Sequence, residues 1–353
     1  MTNPFLARPG AIAVEDGPDA GVAAHYGQPL PEQRALAEGR AIVDLSHHGV
    51  VEVRGDDRRR WIDSLTSQHV VNLTDGVSAD DLLLTPQGRI EHEFGMLDDG
   101  ASAWLVTEAG AAADLAAWFT KMRFMMRVEV LDRSDDIFPV ATLGEHDLGS
   151  KLVWRDPWSQ GAVGGVTYAA TPSHPGAAYT LSLHLLDADQ RAAAAELEHV
   201  AGVDALEALR IAAWRPREAR EFDDRVLPHE LDLLRSAVHL NKGCYRGQET
   251  IAKVHNLGHP PRRLVQLDLD GALAQQGALV YVPGSDKPVG RVTSSANHYE
   301  DGPIALALLK RGTDAETQLE VADVEDARIA AAQTVIVPPG AGSSVDLSAF
   351  RGR

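Results

Sequence analysis

The sequence predicts an α+β protein, a mixed α/β region followed by a small C-terminal β-barrel. Three observations carry this. Between Val50 and Val130 the chain reads strand, helix, strand, strand, strand, helix, strand. After Pro260-Pro261 it changes to short strands separated by Gly/Pro/Asp turns, the spacing of a barrel. A length of 353 residues, 44% of them hydrophobic, supplies material for roughly two domains.

Residues 1–30, rich in Gly, Ala and Pro, are expected to form an irregular arm. Gln33 to Gly39 reads as a short helix ended by glycine. Val50 to Val53 is a strand, and Asp56 is placed to cap a helix through Leu65 that buries Trp61 and Ile62. Leu82 to Leu84 and Arg89 to Leu97 form a hairpin across the turn Thr85-Pro86-Gln87-Gly88. Ala103 to Thr107 is the next strand, Ala111 to Thr120 an alanine-rich helix. Phe124 to Val130 reads as a strand with Met125 and Met126 as core filler.

Strands broken by loops follow from Ile137 to Leu186. Two helices, Arg191 to Val200 and Val203 to Trp214, are parted by Gly202. Residues 215–240 are irregular. Beyond Pro260-Pro261, strands are expected at Leu264 to Leu269, Ala278 to Val282, Val289 to Ser294 and Ile304 to Leu309. The divisions are therefore 1–30 (arm), 31–260 (α+β domain), 261–337 (barrel) and 338–353 (flexible tail).

Thirty-three basic residues against 51 acidic give a net charge of −18, which argues against direct nucleic-acid or anionic-membrane binding. The exception is local. Lys242 to Arg263 holds five Lys/Arg, two His and one acid, an island suited to a small dianion. A single cysteine excludes an internal disulfide framework and fits a reducing compartment. The N-terminus has no basic stretch followed by an apolar run, and no apolar run reaches ~18 residues. The expected location is cytoplasmic.

That cysteine sits in Asn241-Lys242-Gly243-Cys244-Tyr245-Arg246-Gly247-Gln248-Glu249. A free cysteine is commonly a small buried hydrophobe. Here Lys242 and Arg246 flank it, and a helix is expected to begin after Gly247. Nearby cations and a helix N-terminus both favour the reactive thiolate. Gly243 and Gly247 would let the backbone approach a ligand or take positive φ.

Lys242 to Glu249 resembles the signature of the YgfZ family of folate-binding proteins, relatives of the glycine cleavage T-protein (aminomethyltransferase). Val43-Asp44-Leu45-Ser46-His47-His48-Gly49, Thr85 to Ile90, Ala208-Leu209-Arg210-Ile211, Gly290 to Ser294 and Ile304 to Ala307 support the resemblance, which covers roughly residues 40–310. It implies a T-protein-like folate-binding fold ending in a barrel, with tetrahydrofolate as cofactor. It also implies partners among iron–sulfur client or assembly proteins and, through those clients, an effect on tRNA modification.

The implied working residues are Cys244 and Lys242. Tyr245 would pack at the site, and Gln248 and Glu249 would fix the turn. The implied folate-binding set is Glu230, Arg246, Arg210, Glu93 and Arg262, with Glu230 accepting from the pterin donors and the arginines near the anionic tail. One departure separates the two branches. The T-protein has an aspartate on the cavity strand where this chain reads His92-Glu93. The extra methylene of Glu93 can displace a charge by ~1 Å, enough to cost ~10²-fold in a transferase. The resemblance therefore favours an iron–sulfur support factor, with a folate-dependent aminomethyl or one-carbon transferase as the alternative.

Overall fold

The computed structural model describes residues 3–322 and 327–343. Two five-stranded sheets and a closed six-stranded barrel form its frame. The first sheet runs, in spatial order, Val153–Arg155, Leu181–Leu186, Phe138–Leu143, Ile42–Asp44 and Val200–Ala201. Only the last of these pairs with its neighbour in parallel. The second sheet runs Ser78–Leu84, Ile90–Asp98, Ser102–Ala109, His48–Arg54 and Glu129–Asp132, antiparallel throughout.

The second sheet is buried on both faces, which explains its continuous apolar runs. Because successive side chains alternate in direction, Val50, Leu82, Leu84, Trp104 and Val106 join the core shared with helix Val203–Ala212. Their neighbours Val51, Val53, Leu83 and Leu105, with Phe94 and Met96, pack against helices Arg58–Leu65 and Ala112–Met122 through Trp61, Ile62, Leu115 and Phe119.

The barrel comprises Arg262–Leu269, Leu279–Tyr281, Gly290–His298, Gly302–Lys310, Leu319–Ala322 and Arg328–Val335. The last strand pairs back onto the first. The sequence reading found four of these strands and missed the final two. In the last strand, small alanines stand where large apolar residues would have advertised it: Ala331 is inside and Ala330 outside.

Other expectations are corrected. Residues 3–30 are structured: a short 3-10 turn, Pro4–Ala7, places Phe5 in full burial, and Ile12–Ala13 pairs with Ala23–His25. The first helix begins earlier than expected, at Pro29, where a missing N–H costs nothing. Asp57, not Asp56, precedes helix Arg58–Leu65, and both aspartates hold Arg127 instead of capping it.

The strand expected from Phe124 is only Glu129–Asp132. Phe124 takes φ +45° and the chain turns there. Phe124 and Met125 are therefore 83% and 96% exposed, not core. The helix expected from Arg191 to Val200 is Ala188–Ala194, opened by an Asp187/Gln190 capping box, and Val200 is already strand. Of the tail, residues 338–343 are packed, with Ala341 buried and its carbonyl 2.8 Å from His259 Nδ1. The remainder, 344–353, lies outside the described residues.

Candidate functional site

The two sheets and helix Val203–Ala212 enclose a cavity with about 780 Å³ of atom-free space, counting its mouth. Leu45, Val106, Tyr179, Leu183, Val203 and Leu206 supply apolar walls. Trp154 closes one side. Its Nε1 donates to Ala79 O at 2.7 Å, and its ring lies where a side chain on Gly95 would sit, 2.5 Å from an ideal Cβ. Gly95 is thus required by close approach rather than by backbone freedom.

The polar end is built around Arg215, which follows the helix. Its guanidinium donates to Asp156 Oδ2 at 2.9 Å, Glu93 Oε1 at 2.6 Å and Asp80 Oδ2 at 3.2 Å. All four residues are buried. Ser236 Oγ also donates to Asp80 Oδ2 at 2.8 Å, while Asp80 Oδ1 is buried without a protein partner. Burial raises the Asp80 and Glu93 carboxyls, partly offset by Arg215 and reinforced by neighbouring carboxylates.

Beside this cluster Arg217 holds Asp19 at 2.6 Å and Glu108 at 2.7 Å. Burial alone would raise Glu108, but Arg217 holds it down at about 2. His48 is pushed down to about 3 by burial, against the pull of Glu108, and is neutral. Ligand-type atoms of Asp19, His47 and His48 lie within 4.8 Å of one another, so these three could hold a metal ion. Arg217 already supplies positive charge to Asp19 there.

The expected site residues fall into two groups. Glu93 and Arg210 line the cavity. Arg210 is fully engaged, donating to Glu221 at 2.9 Å, Ser294 Oγ at 2.7 Å and Glu207 Oε2 at 2.9 Å. Glu230, Arg246, Arg262, Lys242 and Cys244 do not line it. Glu230 is fully buried and accepts from Arg262, whose Nη2 lies 2.7 Å from Oε2; Arg262 also holds Asp223 at 2.6 Å. Arg263 is buried in the barrel, donating to Thr313 O and Gln333 Oε1. The basic island of the sequence is therefore dispersed, its arginines spent on internal partners.

The Cys244 loop is held from both sides. Lys242 Nζ is buried, donating to the carbonyls of Asp63 at 2.6 Å, Thr66 at 2.9 Å and Gln68. Its ammonium also lies over the Tyr245 ring, which is buried. Gln248 Nε2 donates back to the carbonyls of Lys242 and Gly243, each at 3.3 Å.

Gly247 takes φ +84° as the residue before helix Gln248–Leu257, and a Cβ there would meet Thr85 O at 2.6 Å. Gly243 carries no such demand, since a side chain there would meet nothing within 4 Å. Glu249 is exposed in the first helical turn, where a carboxylate suits the dipole. Cys244 itself is exposed.

Sequence reasoning missed Arg215, Asp80, Asp156 and Arg217. Two signals were readable. Asp80-Asp81 interrupts an otherwise apolar buried strand, and Arg215-Pro216-Arg217 follows directly on an apolar helix. Charges in such positions must find buried partners.

Comparison with known proteins agrees with this geometry. Residues 25–146 match the GCVT N-terminal domain, and residues 262–338 match the glycine cleavage T-protein C-terminal barrel domain. The chain is 29% identical over 78% of its length to 67% of a chloroplastic protein of Arabidopsis thaliana named only as a candidate transferase. A shorter likeness, 34% over 25% of this chain, links it to 24% of the mitochondrial iron–sulfur cluster assembly factor IBA57 of Mus musculus. Among solved structures, the glycine cleavage system aminomethyltransferase T from Bartonella henselae superposes with a TM-score of 0.73 at 17% identity, covering 95% of this chain and 96% of that one. Both T-protein domain types are matched in order along one chain, and the fold is that of a T-protein, an α+β region followed by a closed barrel.

Proposed function

We propose that this protein binds tetrahydrofolate in the cavity between its sheets and supports iron–sulfur protein assembly or repair through Cys244. The observation that carries the folate reading is the cavity itself, an apolar slot ending on a cluster of carboxyls. A pterin is a flat ring with adjacent N–H donors along one edge, and a carboxyl acceptor with a free oxygen suits that edge. Asp80 offers such an oxygen, buried and unpartnered. Glu93 stands beside it, held by Arg215. When bound, the folate would supply the one-carbon chemistry of a reduced pterin.

The remaining expected folate residues act at a distance in this reading. Glu230 and Arg262 tie the segment before the barrel to its first strand, and Arg246 anchors the Cys244 loop to Glu91. The cavity arginines are already paired, so the anionic tail is directed outward through the mouth. The likeness to the mouse assembly factor supports the iron–sulfur role, as does a thiol left exposed on a firmly held loop. A lone thiol cannot carry a [4Fe–4S] cluster, which takes four cysteines. Cys244 therefore works with a partner's ligands.

Calorimetric titration of tetrahydrofolate tests the first half. Binding that weakens at least tenfold in Asp80→Ala is expected, and no binding refutes the folate reading. The second half is tested in cells lacking the native copy, where Cys244→Ala should leave iron–sulfur enzymes poorly active; full client activity would refute it. Alkylating Cys244 should proceed readily in the native protein and leave folate affinity unchanged.

A second reading, a folate-dependent aminomethyltransferase, is favoured by one observation. Glu93 lines the cavity with its carboxyl fixed by Arg215, a rigidly placed acid beside the proposed pterin. Methylene-tetrahydrofolate formation that persists in Cys244→Ala would establish it.

A further inference from the structure

One guanidinium, that of Arg215, serves three buried carboxyls in the cavity. The Asp80 and Glu93 carboxyls accept from its two terminal nitrogens, Nη2 and Nη1, and so lie side by side on one cation. Three ionised carboxylates around one buried cation would leave uncompensated negative charge, which a proton retained on one of them relieves. The same conclusion follows from Asp80 Oδ1, which has no conventional donor although it is fully buried. A bare carboxylate oxygen in that position is costly, whereas burying a neutral carboxyl costs far less.

We propose that Asp80 and Glu93 form a one-proton carboxyl pair, and that a ligand's N–H edge expels this proton as it binds, making binding at this site proton-coupled. The inference rests on the reading of the cavity as a folate site. The ligand class is a flat heterocycle with adjacent N–H donors. Its donors require acceptor oxygens, so the shared proton leaves the pair for solvent.

The groups facing the pair are consistent with a retained proton. Asp156 adds negative charge from the end of strand Val153–Arg155, and Tyr179 lies near it. Glu218, on the short helix after Arg217, accepts from the Glu93 amide at 2.7 Å. His92 pairs with the same Glu218 carboxylate at 3.6 Å. Against these stand Arg215 and the Ser236 hydroxyl. Burial and like charge both drive the pair upward in pKa, the pattern of two acids in one site.

The test is calorimetry of the full-length protein with folinate, an air-stable reduced folate, in buffers of differing ionisation enthalpy. About one proton should be released per ligand at mildly acidic pH, with affinity rising roughly tenfold per pH unit below the pair's pKa. Release should fall to near zero in Asp80→Asn and in Glu93→Gln. Binding without proton release overturns this inference and leaves the folate reading standing; no binding at any pH overturns both. A ligand-free measurement guards against misfolded variants. The infrared absorption of protonated carboxyls at neutral pH should be weaker by about one carboxyl in each variant than in the wild type; an intensity unchanged in both overturns the pair.

Discussion

Arg246 closes a two-pronged ion pair on Glu91, with Nη1–Oε2 at 2.5 Å and Nη2–Oε1 at 3.2 Å. Glu91 stands two residues before Glu93 on one strand, about 7 Å along it. The Cys244 loop is thereby fastened to the strand that forms the polar wall of the cavity. Both side chains are about one-third exposed, 30% and 31%, so solvent screening keeps the pair's worth at ~1 kcal/mol or less.

Arg246→Ala should therefore change the loop more than the fold. Amide exchange over residues 243–248 should quicken, while the melting temperature moves by only a few degrees. Exchange unchanged from wild type would mean that Lys242 and Gln248 suffice to hold the loop.

Lys242→Met should be far more damaging. Its ammonium satisfies three carbonyls and faces Asp81, all out of water. Removing it strands those carbonyls without donors, at about 1–3 kcal/mol each, and takes the positive charge of Lys242 away from Asp81. Chemical denaturation measures this directly; a loss below about 1 kcal/mol would contradict the assigned contacts.

Asp81 makes stability depend on pH with a definite sign. Burial raises its carboxyl to about 7, although Lys242, Thr66 and two amide N–H groups favour the charged form. A raised folded pKa means the folded state holds the proton more tightly than the unfolded one. Its contribution is fully present below the unfolded value of 3.8 and lost as pH rises through about 7. Asp81→Asn cannot ionise. The stability of this variant relative to wild type should therefore improve steadily across that interval, as followed by denaturation at a series of pH values. A difference independent of pH would show that Asp81 is ionised throughout.

Phe124→Gly should stabilise the protein. Phe124 holds φ +45°, a left-handed conformation costly for a side chain with a Cβ, while its ring is 83% exposed and gains little from burial. Relief of about 1 kcal/mol is expected, partly offset by the freedom glycine adds to the unfolded chain. A lower melting temperature would show that the ring makes a contact that stabilises the fold.

What could be read from the sequence follows from local physics. The hairpin at Thr85 to Gly88, the amphipathic helices and the glycine before Gln248 were all legible, because turn chemistry and periodicity are written within a few residues. The Cys244 stretch was legible as a motif, but the partners of its charges were not. Lys242 and Arg246, adjacent to the thiol in sequence, reach Asp63 and Glu91 instead.

The same holds for Glu230 and Arg262, which read as ligand contacts and are instead bonded to each other. The cavity's polar end joins Asp80, Glu93, Asp156 and Arg215, two on strands and two on connecting segments, up to 135 positions apart. No local pattern announces such a cluster. Only the charges left inside apolar elements hint at it.

Arg210 lines the cavity yet bonds Ser294 on the barrel, and the cavity helix's neighbour Trp214 meets Gln266 on the barrel's first strand. Gln33, near the start of the chain, bonds the backbone of Asn297 and Tyr299 on the barrel hairpin. The two matched domain types therefore cannot be exchanged like cassettes between relatives. A graft that imports a foreign barrel must also import hydroxyl and amide partners for Arg210 and Trp214, or the donor's pocket will lose its shape while its own residues stay unaltered.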